Sequence, residues 1–131
     1  MADDGFRLEI KGLNKLTRAL RQAGASMEDM REANTRVGQV VVRRATPITP
    51  RDTGALAGSI RPSRRVSGAS VSAGGGRIRY ARFVEFGTRK MAARPYLYKG
   101  ARDSEDEWLD VYQRELERLL DEVGAQADGT D

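Results

Sequence analysis

At 131 residues and 39% hydrophobic content the chain has material for one domain with one modest core, and its lack of cysteine and histidine excludes disulfides, thiolate metal sites, Cys or His nucleophile systems and imidazole acid-base chemistry. The formal net charge of +4 is unevenly spread: residues 43 to 94 hold twelve Lys or Arg against Asp52 and Glu85, whereas from Arg102 onward eleven acids face Arg102, Arg114 and Arg118. A basic middle joined to an acidic end can pair with itself, with a neighbouring copy or with other partners.

The opening Met-Ala-Asp-Asp-Gly is acidic and leads into no apolar run, and the longest aliphatic stretch is Val40 to Val42, so neither a signal peptide nor a membrane span is expected. Phe6, Leu8 and Ile10 alternate with Arg7 and Glu9 before Gly12, the pattern of a short half-buried strand ended by a turn. Leu13, Leu16, Ala19, Leu20 and Ala23 then fall at helical spacing, with Gly24 placed as a left-handed cap. Ser26 opens a second helix as N-cap, and Met27, Met30, Ala33, Val37, Val40, Val41 and Ala45 form its apolar stripe. Pro47 and Pro50 are expected to end it.

The stretch from Thr46 to Gly54 is punctuated like an ordered loop, because two prolines fix φ while Asp52, Thr53 and Gly54 offer side-chain caps and a permissive backbone. Residues 59 to 80 alternate weakly, with Ile60, Val66, Val71 and Ile78 set among Ser, Gly and Arg, and read as two or three antiparallel strands with hairpin loops at Ser67-Gly-Ala-Ser and Gly74-Gly-Gly76. Five of the eight aromatic residues lie between Tyr80 and Tyr98, a clustering expected to mark a packed centre. Within it, Tyr80 to Gly87 favours a short helix closed by Gly87 over a strand. A last helix from about Ser104 to Val123 carries a Ser104/Glu107 capping box, acids in the first turn, and a face of Trp108, Tyr112, Leu116, Leu119, Leu120 and Val123. The expected fold is therefore α+β: a small antiparallel sheet packed with two N-terminal helices and one long C-terminal helix, in one domain over residues 1–123 with a flexible tail over 124–131.

Two clusters rise above composition: Ala45-Thr-Pro-Ile-Thr-Pro-Arg-Asp-Thr-Gly-Ala-Leu-Ala-Gly-Ser-Ile60, and Tyr80-Ala-Arg-Phe-Val-Glu-Phe-Gly-Thr88 followed by Met91-Ala-Ala-Arg-Pro-Tyr-Leu97. In this order, and followed by a long helix, they resemble the tail-completion or head-tail joining (neck, minor tail) family of long-tailed double-stranded DNA bacteriophages. The resemblance spans roughly residues 6 to 123, with Tyr96 in place of the family's usual Phe and Lys99-Gly100 in place of a proline that often follows. It implies a non-enzymatic virion protein without cofactor, found in the neck or tail and in host cytoplasm before assembly. The implied partners are further copies in a ring, a hexamer or dodecamer, and neighbouring connector or stopper, tail-terminator or tail-tube proteins around the DNA channel.

The motif residues carried over by the resemblance are Thr53, Gly54, Leu56 and Ser59 in the first cluster and Tyr80, Phe83, Glu85, Phe86, Gly87, Pro95 and Tyr96 in the second. Thr53-Gly54 reads as a turn that drops Leu56 and Ile60 into the core. Glu85 is the only acid between Asp52 and Asp103 and stands among apolar neighbours, so it is expected either to pair with an arginine such as Arg94 or Arg82 or to lie exposed on a polar face. Arg61, Arg64, Arg65, Arg77 and Arg79 are candidates for sequence-blind contact with genomic DNA or for contact with a neighbouring ring. The alternative function is a free basic nucleic-acid-binding protein, favoured by the pI of about 9.8, although no helix-turn-helix, zinc-knuckle or stacking-sheet signature accompanies the charge. A hydrolase built on Asp106 and Asp110 is weaker, since both sit in a densely acidic helix that reads as solvated charge.

Overall fold

A computed structural model describes residues 5–10, 14–50, 54–76 and 78–128. Its elements in chain order are β1 (Phe6–Glu9), α1 (Asn14–Gln22), α2 (Met27–Ile48), α3 (Ala55–Gly58), β2 (Arg61–Pro62), β3 (Ser70–Ala73), α4 (Ala81–Phe86), α5 (Tyr96–Asp103) and α6 (Glu105–Asp128). The architecture is α+β, with a three-stranded antiparallel sheet in the order β1-β3-β2. Gly12 and Leu13, assigned to a turn and to the first helix, lie outside the described residues.

Helix α2 is the axis of the molecule. The Ser26 hydroxyl accepts from the Asp29 amide at 3.0 Å, and Glu28 and Asp29 place negative charge at the positive end of the helix. Met30, Ala33, Val37, Val40, Val41 and Ala45 are buried along it, as the apolar stripe requires, whereas Met27 at the helix start is exposed. The helix does not stop before Pro47, as the prolines suggested, but includes it and ends at Ile48. A proline in the last turn withdraws one amide donor, from the Arg43 carbonyl, and little helix remains beyond it to be disrupted. Threonines on either side satisfy neighbouring carbonyls: Thr46 Oγ1 donates to Val42 O and Thr49 Oγ1 to Ala45 O, both at 2.7 Å.

Helix α6 runs antiparallel to α2, since Arg43 faces Glu107 at 3.8 Å near one end and Arg36 faces Glu115 at 2.7 Å nearer the other. Leu119 reaches Met30 and Ala33, and Leu20 of α1 closes this smaller cluster. Helix α1 ends where expected, with Gly24 at φ 111° and the Ala25 amide donating to Leu20 O. The larger core lies between α2, the sheet, α5 and the first half of α6, around Val37, Val41, Val71, Leu97 and Tyr112. Strand β3 is central and pairs Val71 with Leu8 of β1 and with Pro62 of β2. The span from 59 to 80 thus yields β2 and β3, plus an isolated bridge between Gly75 and Ile78 that closes the glycine turn.

Helix α5 was not foreseen, and it displaces the capping box assigned to Ser104 and Glu107. The Ser104 hydroxyl donates backward to Gly100 O at 2.7 Å, so Ser104 ends α5 instead of capping α6. Trp108 supports the junction by donating its indole N–H to Ala101 O at 2.8 Å. The aromatic cluster from Tyr80 to Tyr98 is also not a packed centre: Tyr96 alone of the five is buried, while Tyr80, Phe83, Phe86 and Tyr98 are exposed.

Candidate assembly surface

Helix α4 presents its aromatic residues outward because its other face is committed. Ala81 and Glu85 are buried and Val84 is half-buried, which at helical spacing turns Tyr80, Phe83 and Phe86 to solvent, at 42%, 48% and 68% exposure. The helix is closed as expected by Gly87, whose amide donates to Phe83 O at 2.8 Å. Gly87 has φ 79°, and a Cβ there would lie 2.8 Å from the Ala93 amide nitrogen, so both conformation and space require glycine. The chain then turns through Thr88 to Met91 and returns, with the Arg94 amide donating to Val84 O at 2.7 Å.

Glu85 is neither paired with an arginine nor exposed. It is 3% accessible, and its two carboxylate oxygens accept from the backbone amides of Leu97 at 2.9 Å and Tyr98 at 3.1 Å. Those amides occupy the first turn of α5, whose N-cap position is held by Pro95, a residue that makes no side-chain cap hydrogen bond. The carboxylate of one helix thus supplies the N-terminal cap of the next and sits at the positive end of its dipole. Burial pushes the Glu85 carboxyl above its usual range, against the opposing pull of the two amides.

Tyr96 fixes the same junction from below. Its hydroxyl donates to Ala81 O at 2.9 Å, and its ring meets Phe6 edge-on at 6.2 Å, while Phe6 meets Phe86 at 5.3 Å. Burial raises the Tyr96 phenol, with the nearby Glu85 and Tyr80 adding to the effect.

The two sequence motifs meet. Gly54, at φ 83°, caps α3, and Leu56 and Ile60 enter the main core as expected. Ser59 Oγ donates to Leu56 O at 2.7 Å and accepts from the Gly74 amide at 2.9 Å. The Gly74 backbone in turn lies against Ala81 of α4. Thr53 lies outside the described residues, as does Arg77.

The remaining candidate arginines do not converge. Arg61 donates to Ser59 O and Gly74 O, and Arg79 to Gly76 O, at the glycine-turn end of β3. Arg64 pairs with Glu28 at 3.0 Å and Arg65 with Glu9 at 3.4 Å, at the opposite end. By contrast Arg82, Arg89, Lys90 and Arg94, in the stretch of chain that carries the exposed aromatic residues, have no carboxylate partner among the described residues. One anchor went unread in the sequence: Asn34, fully buried in α2, donates to Arg65 O at 2.9 Å and Val66 O at 3.3 Å and so ties the β2–β3 connection to the helix. A polar residue standing next to Ala33 in an apolar stripe was the signal for it.

Among the described residues no helix is long and apolar enough to cross a membrane. No curated protein and no solved structure matches the chain. A family model described as "Bacteriophage HK97-gp10, putative tail-component" matches residues 10–87, from the end of β1 through the glycine that closes α4. The chain belongs to this HK97-gp10-like family of phage tail components.

Proposed function

We propose that the protein is a non-enzymatic structural subunit that closes into a ring at the head-tail junction or the top of the tail, surrounding the DNA channel and meeting connector or stopper and tail-terminator or tail-tube proteins. The observation that carries this reading is the braced aromatic face of α4. Tyr80, Phe83 and Phe86 expose large apolar area on a helix whose position is fixed by Glu85, Gly87 and Tyr96. Aromatic and arginine side chains on a rigid support are the composition of protein-protein contact sites, and a rigid support lowers the ordering cost of binding. In this reading Gly54, Leu56, Ser59 and Pro95 hold the scaffold, and the α4 aromatic residues make the contact.

Contact with DNA is secondary in this account. Arg64 and Arg65 are already paired with acids, and Arg61 and Arg79 lie at the other end of β3, so they form no continuous basic stripe. The isolated subunit is expected to bind duplex DNA weakly and without sequence preference. Filter binding at two salt concentrations should show affinity falling steeply as salt rises, and tight, salt-insensitive binding would favour a free nucleic-acid-binding protein instead.

Labelling this chain in purified phage particles with an antibody and imaging them tests the assignment. Label at the neck or upper tail is expected. Particles that carry no label at either place would exclude it.

A further inference from the structure

Two uncovered surfaces of the subunit are complementary to each other. On α4 Phe83 and Phe86 are exposed, and Arg82 on the same helix with Arg89, Lys90 and Arg94 in the segment that follows are cations without a carboxylate partner among the described residues. On α6, Leu109 and Leu120 are 43% and 50% exposed. Eleven residues apart, they fall within about 20° of each other on the helix and form one stripe. Asp106 and Glu117, each three residues before one of these leucines, lie beside that stripe on one side, and Asp121 lies farther round the helix on the same side. Asp106 and Asp121 have no cationic partner among the described residues, and Glu117 accepts only from Gln113, at 3.3 Å.

Within one subunit the two surfaces do not cover each other, because α4 rests on α5 and α6 on α2, and the apolar residues of both remain exposed. A symmetric contact between two α4 faces would set cations against cations, and one between two α6 faces would set acids against acids. Each of these costs free energy, whereas α4 against α6 joins opposite charges around an apolar centre. Helix α1 is also basic, through Lys15, Arg18 and Arg21, but among the described side chains it exposes no large apolar residue.

We propose that the α4 face of one copy docks on the Leu109/Leu120 stripe of α6 in the next copy. The proposal rests on the ring reading above and names its contact. Such a contact is heterologous: each subunit uses one surface to hold its neighbour and leaves the other free, so the chain of subunits closes into a ring if the rotation permits.

The test uses two full-length variants with changes only at exposed positions, Arg82→Glu/Phe83→Asp on α4 and Leu109→Arg/Leu120→Arg on α6, with melting curves to confirm that each folds. If the α4 variant fails to fold, Arg82→Glu/Arg89→Glu, which leaves the aromatic residues in place, replaces it. In sedimentation velocity the concentration for half-assembly of each variant should rise at least tenfold above that of the wild type. An equimolar mixture should give a dimer and nothing larger, because each variant retains the surface the other has lost. A mixture that stays monomeric while the wild type assembles would overturn this contact and leave the ring reading standing. An α6 variant that assembles like the wild type would overturn it equally. A wild type that remains monomeric up to its solubility limit would overturn the ring reading together with the contact.

Discussion

Replacing Glu85 by alanine would leave the amides of Leu97 and Tyr98 without their acceptors at a buried helix start, and it is expected to destabilise the fold by about 1–2 kcal/mol in urea titrations. The effect should depend on pH in a definite direction. Burial raises the folded carboxyl above its ordinary 4.5, so between those values the native state binds a proton more tightly than the unfolded chain. The Glu85 contribution is then fully present below pH 4.5 and declines as pH rises through the folded value, so the gap between wild type and Glu85→Ala should be wider in acid than at neutral pH. A gap that widens toward neutral pH would contradict this. The sequence shows that a lone acid among apolar neighbours needs a partner, but the partner is backbone twelve and thirteen residues on, and no side-chain pattern encodes it. Asn34 is similar: its identity hints at an anchor, and its acceptors, the carbonyls of Arg65 and Val66, become visible only once the connection has folded over α2. Asn34→Leu should cost about 1–3 kcal/mol, by removing the donor to those carbonyls, with the loss read as a lowered melting temperature.

Elements with their own periodicity and caps were legible, and elements stabilised from outside were not. Helix α2 carries its N-cap, its acidic first turn and its stripe within one segment, and α4 carries its closing glycine. Helix α5 has no cap residue of its own and borrows one from α4, so the sequence around Ser104 reads as a helix start although α5 already begins at Tyr96 and ends at Ser104. Gly100 marks where α5 meets α2, since a Cβ there would lie 2.7 Å from Ala45 Cβ and 3.0 Å from its backbone nitrogen. Gly100→Ala is therefore expected to force the helices apart and to cost about 1–3 kcal/mol, measurable by thermal unfolding. Wild-type stability in that variant would mean that the two helices slide without penalty.

At the scale of the whole molecule, the unequal distribution of charge acquires a physical role. Part of the acidic helix is paired within the subunit, Glu115 with Arg36 and Glu107 with Arg43, beside the buried face that packs α6 on α2. The cations around α4 and the acids beside Leu109 and Leu120 are left over, and so are the aromatic and leucine side chains between them. The aromatic cluster was visible in the sequence, but its direction was not, because only the burial of Ala81 and Glu85 decides which side of α4 faces out. In the assembly proposed above, a neighbouring copy covers this surplus, which accords with the family match to phage tail components. Electron microscopy of the purified protein, at concentrations above its assembly midpoint, tests that claim most directly. Closed rings of uniform diameter with a central opening are expected; a field of monomers, or open filaments that never close, would contradict the ring.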